Sequence, residues 1–139
     1  MTLGISEKIT VFSERKNLEY DILIIDDSKY VIDFLTKIIN IKGYTCKSVY
    51  NISKAKKELE VFKPKLIFLD VNLPDSNGYE FCKSLKTDKN YRNILVYFFT
   101  GEPESEVALK ALETGADGYL KKPFNIIDFD EIFEHFDQN

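Results

Sequence analysis

Cysteine, histidine and long apolar runs are scarce in this chain, and each scarcity closes off a class of function. The two cysteines, Cys46 and Cys82, stand 36 residues apart with no CxxC spacing, which argues against a disulfide framework and against thiolate metal ligation. They are expected as reduced thiols, in the core or half-buried. The single histidine, His135, lies near the C-terminal end. With no glycine-rich nucleotide loop beside it, the chain is not expected to be its own ATP-dependent histidine kinase, and His135 is expected on the surface. No apolar stretch approaches the ~18 residues that a membrane-spanning helix needs. The N-terminus has no basic region followed by a continuous apolar run, so a cytoplasmic protein without a membrane partner is expected. The net charge of −4 lacks the clustered basic excess of a broad nucleic-acid footprint.

What is present is one domain's worth of chain: 139 residues, 44% of them hydrophobic, enough for a single core. From residue 21 strand and helix patterns alternate. Asp21 to Ile25, Thr45 to Tyr50, Leu66 to Leu69, Ile94 to Phe99 and Gly118 to Leu120 read as strands. Ser28 caps a helix with Val31, Phe34, Leu35, Ile38 and Ile39 on its apolar face, and Gly43 is its expected stop. Asn51 or Ser53 opens a second helix carrying Ala55, Leu59 and Phe62, and Pro64 closes it. Pro74 and Asn77-Gly78 mark a loop before a third helix with Phe81, Cys82 and Leu85. Pro103 opens a fourth, with Val107, Ala108, Ala111 and Leu112 inward and Gly115 at its end; Asn125 caps a last one with Ile126, Phe129, Ile132, Phe133 and Phe136 inward. Five β-α units predict an α/β fold, a doubly wound five-stranded parallel sheet of order 2-1-3-4-5 with helices on both faces. Residues 1–20 stand outside this scheme as an N-terminal extension, a helix or a flexible arm. Residues 21–139 form the domain proper.

In such sheets ligands bind outside the carboxyl ends of the strands, and the chemistry-bearing residues cluster there. Asp26-Asp27 follow the first strand, Asp70 ends the third, Thr100 the fourth, and Lys121-Lys122-Pro123 follow the fifth. Three converging carboxylates repel each other and either hold a proton or recruit a cation. Their oxygens favour Mg²⁺ or Mn²⁺ over Zn²⁺, with the Asn72 backbone carbonyl able to complete the shell. Asp70 is a candidate nucleophile toward phosphorus, giving an acyl phosphate. The transferring group's oxygens would be covered by the cation, by Lys122, and by the Thr100 hydroxyl or nearby backbone amides. Taken singly, Asp26-Asp27 also reads as a helix cap, Thr100 as an ordinary strand end and Lys122 as a solvated loop residue.

The ordered set resembles the response-regulator receiver domain of two-component signalling, a flavodoxin-like, chemotaxis-regulator-like module. The carriers are Asp26-Asp27-Ser28, Asp70-Val71-Asn72-Leu73-Pro74 with Gly78, Thr100-Gly101, and the run Gly115 to Phe124. The gaps are 43 residues from Asp27 to Asp70, 30 from Asp70 to Thr100 and 52 from Asp70 to Lys122. The resemblance covers about residues 20–136. It implies Asp70 as phosphoacceptor, Mg²⁺ held by Asp26, Asp27, Asp70 and the Asn72 carbonyl, and Lys122 as the phosphate-contacting lysine. Lys121 is then left to the surface, and the peptide before Pro123 is expected to be cis. It further implies a switch in which Thr100 moves to the phosphoryl group and Tyr119 turns into the vacated space, changing the face of the fourth helix, fifth strand and fifth helix. Asn72 and Glu102 would influence how fast water removes the phosphoryl group.

The donor is then expected to be a phosphohistidine on a histidine kinase or phosphotransfer protein, or a small phosphodonor. The output is expected to be a downstream protein target or a homodimer through the 4-5-5 face, with no direct nucleic-acid contact and no enzymatic activity beyond the domain's own phosphorylation and dephosphorylation. The chain reads as a stand-alone regulator or as a piece cut from a longer protein. Between Pro123 and Asn139 there are five acids and no Lys or Arg, so a partner at that end should be basic. Two other readings compete. One is a receiver-like docking or dimerisation module that no longer uses phosphate. The other is an aspartate-nucleophile phosphatase of the haloacid dehalogenase type, which wants a second aspartate where this chain has Asn72.

Overall fold

A computed structural model describes residues 19–73 and 77–138. The expectation for residues 1–20 lies outside the described residues apart from Glu19 and Tyr20, and so does Pro74. The elements alternate as β1 (Ile22–Ile25), α1 (Lys29–Ile41), β2 (Cys46–Val49), α2 (Ile52–Val61), β3 (Leu66–Asp70), α3 (Gly78–Thr87), β4 (Leu95–Thr100), α4 (Glu104–Thr114), β5 (Gly118–Lys121), a 3₁₀ turn (Ile126–Phe129) and α5 (Asp130–Asp137). The five strands form one parallel sheet in the order β2-β1-β3-β4-β5, as the β-α alternation predicts.

The central strands are buried on both sides, which is why they read as continuous apolar runs. Successive side chains alternate between two cores. Leu23, Ile25, Ile67, Leu69, Val96 and Phe98 meet α2, α3 and α4. Ile22, Ile24, Leu66, Phe68, Tyr97 and Phe99 meet α1 and α5. The second core is rich in rings: Phe68 stacks on Phe99 at 5.2 Å, and Phe129 meets Phe68 edge-on at 5.9 Å. Such pairs add ~0.5–1.5 kcal/mol each beyond the area they bury.

Helix starts follow local chemistry. Ser28 Oγ accepts from Val31 N, Asn51 Oδ1 from Lys54 N, and Asn77 Oδ1 from Tyr79 N, each satisfying an orphan first-turn donor. Gly115 closes α4 at φ +81°, a conformation that a side chain disfavours. The inward faces differ from expectation in three places. In α1, Ile32 is in the core while Val31 and Phe34 only lean against it. In α4 the inward stripe is Val107–Ala111–Thr114, and Leu112 is 83% exposed. A count of apolar residues misses Thr114, whose hydroxyl donates to the Lys110 carbonyl and can therefore be buried. At the C-terminal end the chain enters as a 3₁₀ turn, with the Asn125–Asp128 capping box at its start. Phe129 is its first core residue and Ile126 stays outside. Cys46 and Cys82 are both free thiols, half-buried and buried; burial pushes the Cys82 thiol up to about 11. Among the described residues no helix is long and apolar enough to cross a membrane.

Candidate functional site

Strand register brings the site together. Ile25 pairs with Leu69, so Asp26 and Asp70 leave neighbouring strands at the same level. Asp70 pairs with Phe99, one residue before Thr100, and Thr100 pairs with Lys121, one residue before Lys122. The Lys122 backbone N–H donates to the Thr100 carbonyl at 2.8 Å, extending the ladder past β5. The Lys122–Pro123 peptide is cis.

Asp26, Asp27 and Asp70 offer carboxylate oxygens within 4.8 Å of one another. Asp26 and Asp70 are buried and Asp27 is exposed. Local backbone turns hold the two buried groups. Ser28 N donates to Asp26 Oδ1 at 2.8 Å, and Asn72 N donates to Asp70 Oδ1 at 3.0 Å. The other oxygens face each other and the lysine. Lys122 Nζ lies 3.6 Å from Asp26 Oδ2 and 3.8 Å from Asp70 Oδ2. Those separations exceed the ~2.7–2.9 Å of a close charge-assisted bond, so the ammonium sits between the carboxylates without closing on either. Asp26 Oδ2 has no hydrogen-bond partner among the described residues. Desolvation raises the Asp26 pKa, with Asp70 and Asp27 adding repulsion and the Ser28 N–H and Lys122 opposing. A buried oxygen without a partner, in a nest of like charges, is the electrostatic form of a cation site with oxygen ligands. Mg²⁺ therefore fits the residues present.

The backbone behind Asp70 is closely packed. A Cβ on Gly78 would lie 2.7 Å from Val71 Cα and 3.0 Å from the Asp70 carbonyl oxygen. Only glycine lets the start of α3 rest against the strand that carries Asp70. Beside Thr100, a Cβ on Gly101 would meet nothing within 4 Å, so the site stays open on that side.

The structure groups Asp26, Asp27, Asp70 and Lys122, with Asn72 joined through its backbone N–H. Thr100 is buried nearby, and its hydroxyl accepts from Glu102 N at 2.9 Å. Tyr119 is not brought to the carboxylates; its hydroxyl donates to Glu104 Oε1 at 2.9 Å. Lys121, half-exposed, keeps away from the carboxylates: its Nζ donates to the Gly101 carbonyl at 3.2 Å and to the Glu102 carbonyl. His135 is half-buried rather than on the surface, with Nδ1 hydrogen-bonded to the Tyr97 hydroxyl. One contact escaped the sequence altogether. The buried Tyr79 donates its hydroxyl to Glu102 Oε2 at 2.8 Å. In the sequence only Phe81, Cys82 and Leu85 suggest this helix, α3.

The fold and this cluster define an α/β module with a candidate ligand site at the carboxyl edge of a parallel sheet. A family model described as the response regulator receiver domain matches residues 22–134, and the chain belongs to that family of two-component signalling modules. It is 34% identical over 104 residues to the phosphate regulon transcriptional regulatory protein PhoB of Pseudomonas aeruginosa, covering 75% of this chain and 45% of that protein. The chain thus spans about half the length of the curated relatives it matches. Among solved structures it resembles a two-component response regulator from Clostridium difficile, with a TM-score of 0.77 and 29% identity over 87% of this chain and 98% of that one. It also resembles the signal receiver domain of a histidine kinase from Syntrophus aciditrophicus, with a TM-score of 0.76 and 30% identity over 85% and 89% of the two chains.

Proposed function

We propose that this domain is a phosphoacceptor switch that takes a phosphoryl group onto Asp70. The observation that carries the reading is the suspended geometry of Lys122, 3.6 and 3.8 Å from two buried carboxylates, with the nearer oxygen, Asp26 Oδ2, accepting no hydrogen bond among the described residues. A stable salt bridge would have closed, and a degenerate site has no reason to keep a buried repulsive pair.

Asp26, Asp27, Asp70 and the Asn72 carbonyl would hold Mg²⁺. When bound, the ion supplies charge neutralisation for the carboxylates and the incoming phosphoryl oxygens. The chain's own groups do the rest. An Asp70 carboxylate oxygen attacks phosphorus; the P–O bond forms as the P–N bond to the donor's phosphohistidine breaks, and the electron pair leaves with the imidazole. Lys122 neutralises one phosphoryl oxygen and the Thr100 hydroxyl donates to another, which is mostly positioning and electrostatics. In the free domain the Thr100 hydroxyl accepts from Glu102 N and the Tyr119 hydroxyl donates to Glu104; turning Thr100 toward the phosphoryl group would remake the first contact, and a turn of Tyr119 into the vacated space would break the second. That couples the site to the surface of α4, β5 and α5. Leu109, Leu112 and Ile127 are exposed on α4 and at the entry to α5, a supply of apolar contacts for a protein target or a second copy. The PhoB relative is a transcriptional regulator by name; by analogy the output would serve gene control through whatever partner that surface engages.

The test is incubation with acetyl phosphate and Mg²⁺ followed by intact mass. The wild type should gain one phosphoryl group, and Asp70→Asn should gain none. An unmodified wild type beside a competent control would instead support a phosphate-independent docking module.

A further inference from the structure

The loop after β4 is tied down by a side chain that neither the metal site nor the phosphoacceptor uses. Tyr79, the second residue of α3, packs its ring edge-on against Phe98 at 5.0 Å and sends its hydroxyl to Glu102 Oε2 at 2.8 Å. Burial and the Glu102 carboxylate raise the Tyr79 pKa well above its ordinary value, so the hydroxyl remains a donor throughout the working pH range. Lys110 Nζ lies 5.9 Å from the Tyr79 ring centre, over its face. On the other side Lys121 Nζ donates to the Gly101 and Glu102 carbonyls. Glu102 is therefore gripped at both its carboxylate and its backbone. Its N–H in turn occupies the Thr100 hydroxyl at 2.9 Å. Tyr79 is also adjacent to Gly78, which rests on the Asp70–Val71 backbone. One helix start thus touches both the strand end carrying Asp70 and the loop that follows Thr100.

We infer that Tyr79 is a positioning residue: by holding the Glu102 carboxylate it keeps Thr100 bonded to its own loop, and it thereby sets how readily the domain adopts its phosphoryl-bound arrangement. This rests on the proposed phosphoacceptor reading. The Tyr79–Glu102 bond holds the loop in the free domain's arrangement, in which the Thr100 hydroxyl accepts from Glu102 N; turning Thr100 to the phosphoryl group would draw that loop away from the arrangement the bond favours. A contact present in one of two states biases the equilibrium between them, and removing it raises the fraction competent to bind.

The experiment is a double-mutant cycle read with Mg²⁺ and beryllofluoride, a phosphoryl mimic, by titration with fluorine NMR. Tyr79→Phe keeps the ring and deletes one hydroxyl. It should bind beryllofluoride about 2- to 10-fold tighter than wild type, the range for one net hydrogen bond. Glu102→Gln keeps an acceptor, so Tyr79→Phe should produce a similar gain in that background. In a Glu102→Ala background Tyr79→Phe should change nothing. Unchanged or weaker affinity for Tyr79→Phe overturns the inference, as does an equal gain in the Glu102→Ala background. A purely structural role would lower the melting temperature of Tyr79→Phe with affinity unmoved, and that pattern also overturns it. Failure of the wild type itself to bind Mg²⁺ and beryllofluoride would instead strike the phosphoacceptor reading, so the two failures are distinguishable.

Discussion

Replacing Asp26 by asparagine should stabilise the metal-free domain. Asp26 is fully buried; one oxygen takes the Ser28 N–H at 2.8 Å and the other accepts no hydrogen bond among the described residues. Lys122 stands off at 3.6 Å, and Asp70 and Asp27 repel the charge. Asparagine keeps the acceptor for Ser28, removes the buried charge and turns the orphan oxygen into a donor facing carboxylates. Relief of one unsatisfied buried polar group is worth ~1–3 kcal/mol, or about 3–10 °C in melting temperature for a domain of this size. The pH dependence has a definite sign. A carboxyl whose folded pKa is raised binds its proton more tightly in the folded state, so its penalty is absent below the unfolded pKa and grows as pH rises through the folded one. The gap between Asp26→Asn and wild type should therefore be full at neutral pH and narrow in acid. Magnesium should reverse the order. The wild type gains ~2.7 kcal/mol at a hundredfold excess over its dissociation constant, and the variant gains far less. Thermal unfolding in EDTA and in Mg²⁺, across pH, checks all three points. A variant less stable than wild type in EDTA, or one that responds equally to Mg²⁺, would refute the assignment of Asp26 as an electrostatically frustrated ligand.

Lys122→Ala should retain Mg²⁺ binding, because it removes a cation that competes for the same carboxylates, while beryllofluoride binding falls; Asp27→Ala should lose Mg²⁺ affinity by ~10–100-fold, and similar collapse in both variants by calorimetric titration would contradict the division of roles. Gly78→Ala pushes a methyl to within 2.7 Å of Val71 Cα and should cost ~1–3 kcal/mol, read as a lower melting temperature together with slower labelling of Asp70 by acetyl phosphate. Burial keeps the Cys82 thiol protonated at neutral pH, so a thiol reagent should label Cys46 first and Cys82 only on unfolding; early labelling of Cys82 would show that α3 opens locally.

Sheet order and site level were legible because both rest on strand ends. Buried parallel strands announce themselves as runs such as Leu66–Leu69, and whatever polar residue follows must sit at the sheet edge. Helix faces were less legible. The stripe Val107–Ala111–Thr114 buries a threonine by back-bonding it to Lys110, and hydrophobicity alone favours the neighbouring Ala108–Leu112 line. The Tyr79–Glu102 bond joins residues 23 apart through a loop conformation, which no periodicity encodes. The family resemblance already tells Lys122 from Lys121; strand register supplies the physical basis for that separation.

That separation follows from strand alternation and explains how the site is divided. Ile24, Phe68 and Leu120 point into the core under α1 and α5, and two residues on from each come Asp26, Asp70 and Lys122. Phe98 points to the opposite core, with Tyr119 packed against it, and two residues on come Thr100 and Lys121. The period of two thus sends the charged groups to one side of the sheet edge, where they meet at 3.6–3.8 Å. It sends the hydroxyl, the second lysine and the outward tyrosine to the side of α4, where they bond the loop at Gly101–Glu102 and the Glu104 carboxylate. The buried carboxylates with Lys122, and the hydroxyl and loop contacts, therefore occupy opposite faces of one edge, and Thr100 ends the strand paired with β3; under the proposed switch a charge arriving at Asp70 would act on both. Shifting β5 by one residue relative to β4 would exchange Lys121 and Lys122 between the two sides. A one-residue insertion or deletion just before Gly118 should therefore cost both Mg²⁺-dependent phosphoryl binding and the loop contacts, even where the fold survives.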